Sequence, residues 1–195
     1  ALLTGLLTGC NDFLDKVPDN RTVLDTPDAI RELLVNAYPS AHSYHICETM
    51  SDNVGERDVS SGHSREVLNR EMYNWEDNTQ TSQDHPIYVW TKFYEGIATA
   101  NMALEAIEEI GTPEELLPAK GEALLCRAFA HFILVNLWGE HYDPATASTN
   151  LGVPYVTEVE KKVIVPYKRE TVEKVYELIE KDFREGYPLI KDEVY

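Results

Sequence analysis

Cys10 is the residue of this chain whose surroundings point most directly to a chemical reaction. It closes the run Leu7-Thr8-Gly9-Cys10, in which small residues precede a cysteine, and the polar pair Asn11-Asp12 follows it. This pattern is typical of a bacterial lipobox, in which the thiol forms a thioether with a diacylglycerol. Each buried CH₂ contributes about 0.8 kcal/mol, so two or three acyl chains anchor a protein permanently, whereas one chain binds marginally.

Residues 1–9 are apolar but too short to span a bilayer, and they carry neither a starting Met nor a basic segment. We therefore predict that they are the remainder of a signal peptide and that Cys10 is the lipid anchor of the mature protein. The alternative is a chance match in an apolar N-terminus. We favour the lipobox because both its position and its context fit.

Four neighbouring residues, His42, His45, Cys47 and Glu48, have side chains of the metal-binding type. Their spacing matches no standard zinc site, and on a helix His45 and Cys47 would point apart. We therefore expect solvated or packed side chains here, with no bound metal.

Paired carboxylates such as Glu108-Glu109 lie at predicted helix ends, where the helix dipole and solvent account for them. These patterns predict no catalytic residues and no cofactor, so we do not expect an enzyme.

Arg127 and His131 are four residues apart in a segment, 123–138, that is otherwise mostly apolar. Such a pair within a buried helix is either a polar functional site or a structural pair. We favour the structural interpretation, in which Arg127 reaches a carboxylate on a neighbouring helix.

The composition fits one folded domain with an acidic surface. The chain has 195 residues, of which 43% are hydrophobic and 26% are charged, and this is sufficient for a core. Its formal net charge of -17 repels phosphates, so we expect neither nucleic acid nor an anionic membrane surface as a ligand. Apart from Cys10, the chain contains Cys47 and Cys126. These two could form a disulfide, but we favour two small buried thiols.

Apolar residues recur with helical spacing in four segments, which predicts an all-α fold. The first helix is predicted to begin near Pro27, because Asp25-Thr26-Pro27-Asp28 offers a cap, a proline for the first turn and an acid, and Pro39 then kinks or stops it. Residues 51–83 are rich in Ser, Asn, Asp and Gly and have no sustained period, which indicates a long irregular surface segment. Loops of that length usually carry function.

The other three predicted helices lie in the second half of the chain. One runs from Pro86 to Gly111, and the next follows a capping box at Thr112-Pro113-Glu114-Glu115 and is stopped by Gly139. We expect these two to form an antiparallel hairpin of the tetratricopeptide type, although no strict period of about 34 residues is present. The last runs from about Glu170 to a stop at Gly186.

Five groups of residues follow one another along the chain in an order that is informative as a whole. They are Cys10 with Phe13-Leu14-Asp15 and Pro18; Trp90, Tyr94, Ile97, Ala100-Asn101, Leu104 and Ile107; Gly121-Glu122-Ala123, Arg127-Ala128, His131-Phe132, Leu134-Val135 and Trp138-Gly139; Leu151-Gly152-Val153-Pro154-Tyr155; and Arg169, Thr171-Val172, Val175-Tyr176, Ile179 and Asp182-Phe183. In this order they resemble the N-terminal part of SusD/RagB-family lipoproteins. Members of that family are longer, so the resemblance implies that residues 10–195 are a SusD-like helical domain truncated at its C-terminus.

The resemblance implies a lipid-anchored protein on the outer surface of the outer membrane. Such a protein binds oligosaccharides without cleaving them and passes them to a SusC-like TonB-dependent transporter. Two other functions stay open, a helical-repeat adaptor that binds protein and a lipid-anchored glycoside hydrolase.

A sugar site needs flat aromatic faces and planar polar side chains. Within the irregular segment we therefore expect Asp52, Arg57, Tyr73, Trp75 and Asn78 to contact glycan. The alternative is that Tyr73 and Trp75 pack the loop onto the helices.

Overall fold

The computed structural model describes residues 24–56, 62, 65–80, 83–162 and 164–191, so the predicted residues Cys10 and Arg57 lie outside its described part. Six α-helices lie in these ranges: α1 (Pro27–Leu34), α2 (Tyr44–Thr49), α3 (Glu66–Tyr73), α4 (Pro86–Glu109), α5 (Leu117–Trp138) and α6 (Val172–Gly186). The described ranges contain no strand, and their backbone forms one isolated antiparallel bridge, between Leu151 and Thr171. The predicted all-α fold is confirmed. Among the described helices, none has the length and apolar character needed to cross a membrane.

Three helices begin at a residue whose side chain accepts a hydrogen bond from a backbone N–H of the first turn. At the start of α1 and of α6, the hydroxyls of Thr26 and Thr171 each accept a hydrogen bond from the N–H three residues further on. At the start of α4, Nδ1 of His85 accepts the Ile87 N–H at 3.0 Å. The starts predicted near Pro27, at Pro86 and near Glu170 are therefore correct to within two residues.

The prediction that residues 51–83 are irregular throughout is wrong, because Glu66–Tyr73 forms α3. Leu68 and Met72 lie one turn apart on this helix and are buried in the same core cluster as Val89 and Phe93 of α4. Helices of this length depend on tertiary packing rather than on their own propensity. The short α2 was missed for the same reason.

The predicted capping box at residues 112–115 does not form. Thr112 has a positive φ of 52°, and its N–H donates to the Ile107 carbonyl (2.8 Å), so it closes α4 instead of opening α5. A 3-10 turn, Glu114–Leu116, follows, and α5 begins at Leu117 without a side-chain cap. Its predicted stop at Gly139 is correct.

Helix α5 lies between α4 and α6 and is antiparallel to both. Trp90, near the start of α4, meets Trp138 at the end of α5 edge to face, with ring centroids 5.2 Å apart. On the other side, Phe132 of α5 contacts Tyr176 near the start of α6. The predicted antiparallel hairpin is confirmed as α4 and α5. Helix α6 packs against α5 as a third antiparallel helix.

A buried polar network joins these three helices. The Arg127 guanidinium of α5 donates two hydrogen bonds to the Asp182 carboxylate of α6 (2.7 and 2.8 Å) and one to Asn101 Oδ1 of α4 (2.9 Å). Tyr155 donates to the same carboxylate at 2.7 Å, and its ring stacks on the His131 imidazole at 3.8 Å between centroids. The interpretation of Arg127 as a structural residue that binds a carboxylate of a neighbouring helix is confirmed.

The network also fixes the start of an arm, residues 154–169, that leaves the bundle and returns to it. Nε2 of His131 accepts the Val156 N–H (3.1 Å), and the Tyr94 hydroxyl donates to the Pro154 carbonyl (2.8 Å). At the neck of the arm, the Gly152 N–H donates to the Glu170 carbonyl at 2.8 Å. The arm therefore crosses α4 in a fixed position.

Candidate functional site

The turn that follows α3, residues 74–79, presents a large aromatic side chain to solvent. The Trp75 N–H donates to the Met72 carbonyl (3.1 Å), and the Glu76 N–H donates to the Glu71 carbonyl (2.8 Å). These are the two hydrogen bonds of a Schellman motif, which ends a helix with one residue in the left-handed conformation. That residue is usually glycine, and here it is Trp75, with φ of 58°.

The indole of Trp75 is available to a ligand. Trp75 is 73% exposed, and among the described residues its ring stacks on no other aromatic side chain. Exposure at this level contradicts the alternative that Trp75 packs the loop onto the helices. Tyr73, at the end of α3, is 37% exposed and lies two residues away on the same turn.

Glu71, which the sequence reasoning missed, holds this turn from the helix side. Its carboxylate accepts hydrogen bonds from the Thr79 N–H (3.0 Å) and the Thr79 hydroxyl (2.5 Å). These hydrogen bonds hold the pKa of Glu71 below its usual value. Glu71 is only 7% exposed although it is an acid on a short surface helix. The signal in the sequence is an acid that immediately precedes Met72 on the apolar face of α3.

The structure brings only part of the predicted site together. Trp75 and Asn78 share the turn after α3, and Tyr73 is the last residue of that helix; the Asn78 amide donates to the Glu76 carbonyl at 3.4 Å. Asp52 is exposed on a separate turn, directly after α2. Helices α2 and α3 are themselves joined by a hydrogen bond of 3.0 Å between His45 and Asn69.

A concave surface lies where the arm crosses α4. A cavity of about 560 Å³ on one side of the arm is lined by Trp90, Tyr94 and Tyr167, among others, and a cavity of about 710 Å³ lies on the other side. The aromatic rings here are already engaged, because Trp90 packs on Trp138 and the Tyr94 hydroxyl binds the Pro154 carbonyl. Trp90 therefore packs between helices and Tyr94 holds the arm, whereas the Trp75 ring is exposed and stacks on no described aromatic side chain.

The residues of metal-binding type do not form a cluster. Over the described ranges, no three His, Cys, Asp or Glu side chains converge as they would around a metal ion. Cys47 and Cys126 are both free thiols, so the favoured interpretation, that they do not pair, is correct. Only Cys126 is buried, and burial raises its pKa to about 11; the expectation of burial is wrong for Cys47, which is exposed on α2.

The six helices of the described ranges define the class of this protein as all-α, with an aromatic turn exposed after α3. Comparison with protein families gives the particular family: a SusD-like family model, described as starch-binding and associating with the outer membrane, matches residues 12–195. The chain therefore belongs to this SusD-like family. No curated protein matches the chain.

Proposed function

We propose that this protein is a lipid-anchored glycan-binding protein of the bacterial cell surface. In this proposal it captures oligosaccharides without cleaving them and passes them to a SusC-like TonB-dependent transporter. The observation that carries the proposal is the match of the starch-binding, outer-membrane family to residues 12–195. The lipobox at Cys10 supports the anchor, and it rests on the sequence alone.

We place the glycan on the turn after α3. The apolar C–H face of a sugar ring packs on an aromatic face, and its hydroxyls bind carboxylate, amide or guanidinium groups. Trp75 supplies the free aromatic face, and Tyr73 and Asn78 lie beside it on the same turn. Asp52 and Arg57, on the segment between α2 and α3, are proposed to bind sugar hydroxyls.

Calorimetric titration of the purified protein with maltooligosaccharides tests this proposal. The variant Trp75→Ala should lose about 1 to 3 kcal/mol of affinity, which is about 5- to 150-fold, because the apolar area of the indole is no longer buried by the sugar. The matched control is Tyr187→Ala, which removes another aromatic side chain, 67% exposed, after α6.

The products of the same incubation distinguish the other functions. Intact oligosaccharide that is bound supports the proposal, whereas released shorter sugars would support a glycoside hydrolase. If neither binding nor cleavage is seen with any of a panel of polysaccharides, the helical-repeat adaptor becomes the better interpretation. Unchanged affinity in Trp75→Ala would move the site to another surface, first of all the cleft beside the arm.

A further inference from the structure

The backbone carbonyl and the side-chain carboxylate of Glu71 both accept hydrogen bonds from the turn that carries Trp75. The Glu71 carbonyl accepts the N–H of Glu76, the residue after Trp75, and the Glu71 carboxylate accepts two hydrogen bonds from Thr79, the last residue of the turn. Three hydrogen bonds from one residue thus close the segment 74–79 onto the last turn of α3. Charge-assisted hydrogen bonds of this kind are stronger than neutral ones.

The backbone of Trp75 needs such a constraint. With φ of 58°, this residue occupies the left-handed region, where its β-carbon is crowded against the backbone. A bulky residue leaves that region when the surrounding hydrogen bonds are removed, and strained residues persist only where their neighbours over-determine them. The bonds made by Glu71 join a residue that precedes Trp75 to two residues that follow it, so they oppose relaxation of Trp75 to the right-handed or extended regions.

Burial argues against a role for Glu71 in solubility. Its residue exposure is 7%, whereas the following acids of the turn, Glu76 and Asp77, are exposed. A carboxylate that lies under the turn and accepts hydrogen bonds from it acts on the backbone of the turn rather than on solvent. The same carboxylate does not stand beside the indole as a sugar ligand, because its two oxygens are occupied by Thr79.

From these contacts we infer that Glu71 is a positioning residue, which keeps the indole of Trp75 in the orientation that meets a sugar ring. This inference rests on the proposed glycan site. It names a residue that affects affinity through the turn, without touching the ligand.

Three variants and one control test the inference. Glu71→Ala removes all the carboxylate bonds, Glu71→Gln keeps the volume and one acceptor, and Thr79→Val removes only the hydroxyl bond. The control is Glu109→Ala, which removes an exposed acid at the end of α4. Maltooligosaccharide affinity is measured by calorimetry, and amide hydrogen exchange is measured at Glu76 and Thr79.

Glu71→Ala should weaken maltooligosaccharide binding about fivefold or more and should speed exchange of both amides about tenfold or more, while exchange within α4 and α5 stays as in the wild type. The affinities and amide exchange rates of Glu71→Gln and Thr79→Val should lie between those of Glu71→Ala and the wild type. Tryptophan emission, taken as the difference from a Trp75→Phe protein, should shift in Glu71→Ala and stay unchanged in the control. If Glu71 only stabilised the fold as a whole, its loss would also speed amide exchange in α4 and α5. A shift of Trp75 emission with α4 and α5 still protected therefore indicates a local effect on the turn.

Two results would overturn the inference. Unchanged exchange at Glu76 and Thr79 in Glu71→Ala would show that the turn does not depend on the carboxylate. Faster exchange with unchanged affinity would show that fixing the turn does not serve binding. If the wild type binds no oligosaccharide, or if Trp75→Ala binds as well as the wild type, the proposed site fails and the role of Glu71 in binding fails with it. The exchange and emission data then still decide whether Glu71 orients the indole.

Discussion

At the scale of single residues, Trp75 combines a large exposed side chain with a backbone conformation that suits glycine. Glycine is common at this position of a helix end because it has no β-carbon to crowd the backbone. A tryptophan there carries about 1 kcal/mol or more of backbone strain, and at 73% exposure it buries little apolar area to offset it. Residues with a strained backbone that adds nothing to the stability of the fold cluster at ligand-binding sites.

Two substitutions of Trp75 separate the strain from the side chain. Trp75→Gly removes both, whereas Trp75→Ala keeps the β-carbon in the left-handed region. We therefore expect the glycine variant to be more stable than the alanine variant by about 1 kcal/mol in urea unfolding. Equal stability of the two variants would show that the backbone at residue 75 is not strained.

His131 is a residue whose protonation should be linked to stability. It is fully buried, its Nδ1 lies 2.9 Å from the Arg127 carbonyl, and its Nε2 accepts the Val156 N–H. A carbonyl only accepts, so Nδ1 carries the proton and Nε2 is free of one. Burial, with the positive charge of Arg127 beside it, lowers the pKa of His131 to about 4.

The sign of the pH dependence follows from this shift. Between the ordinary histidine pKa of about 6.5 and about 4, the unfolded chain binds a proton that the folded chain excludes. Stability should therefore fall as the pH decreases through this range, by roughly 3 kcal/mol in total from His131 alone. Thermal melts at several pH values, compared with His131→Gln, isolate this contribution. Parallel curves for the two proteins would contradict it.

The residues of the proposed site differ in how far the sequence reveals them. Tyr73 and Trp75 could be proposed because two aromatic residues stand close together in a polar segment. Glu71 and Thr79 could not, because their bond spans a turn whose geometry is set by α3, a helix that the sequence pattern did not predict. The left-handed conformation of Trp75 was hidden as well, since the residue type argues against it.

At the scale of elements, the contact between α5 and α6 depends on two facing glycines. A β-carbon added at Gly121 would lie 2.7 Å from the Gly186 carbonyl oxygen, and one added at Gly186 would lie 2.9 Å from the Gly121 carbonyl oxygen. Both contacts are with backbone, which cannot rotate away as a side chain can. Close approach of these helices brings Arg127 within reach of Asp182.

Gly121→Ala should therefore destabilise the protein although alanine is the better helix former. The gain in helix propensity is about 1 kcal/mol, and overpacking against a fixed backbone costs about 1 to 3 kcal/mol. Adding the strain on the bonds between Arg127 and Asp182, we expect a net loss of about 1 to 2 kcal/mol in urea unfolding.

The matched control for this substitution is Gly55→Ala, because no atom lies within 4 Å of the β-carbon position at Gly55. That variant should change the free energy of unfolding by about 0.5 kcal/mol or less. A Gly121→Ala protein as stable as the control would mean that α6 can move away from α5 without loss.

The elements that the sequence did predict are those with strong local signals. Helices α1 and α6 have threonine caps, and α4 and α5 are more than twenty residues long with sustained apolar spacing. Helices α2 and α3 have six and eight residues, too few for a period to stand out. The capping box at Thr112 failed because the end of α4 took that residue for its own closing hydrogen bond.

At the scale of the whole molecule, the acidic charge and the proposed anchor oppose each other. A chain with a net charge of -17 is repelled by an anionic membrane surface. The acyl chains proposed at Cys10 would bind through their apolar area, which is insensitive to the sign of the protein charge.

Detergent-free fractionation of cells that express the protein with a lipoprotein signal peptide tests whether the anchor proposed at Cys10 keeps it in the membrane fraction. Cys10→Ser removes the thiol that would form the thioether, so the protein should move from the membrane fraction to the soluble fraction. The control is Cys47→Ser, which removes an exposed thiol on α2 and should leave the protein in the membrane fraction. High salt should release neither the wild type nor the control, because acyl chains rather than charges would hold them. If Cys10→Ser stays with the membrane in low salt and in high salt alike, residue 10 is not the anchor.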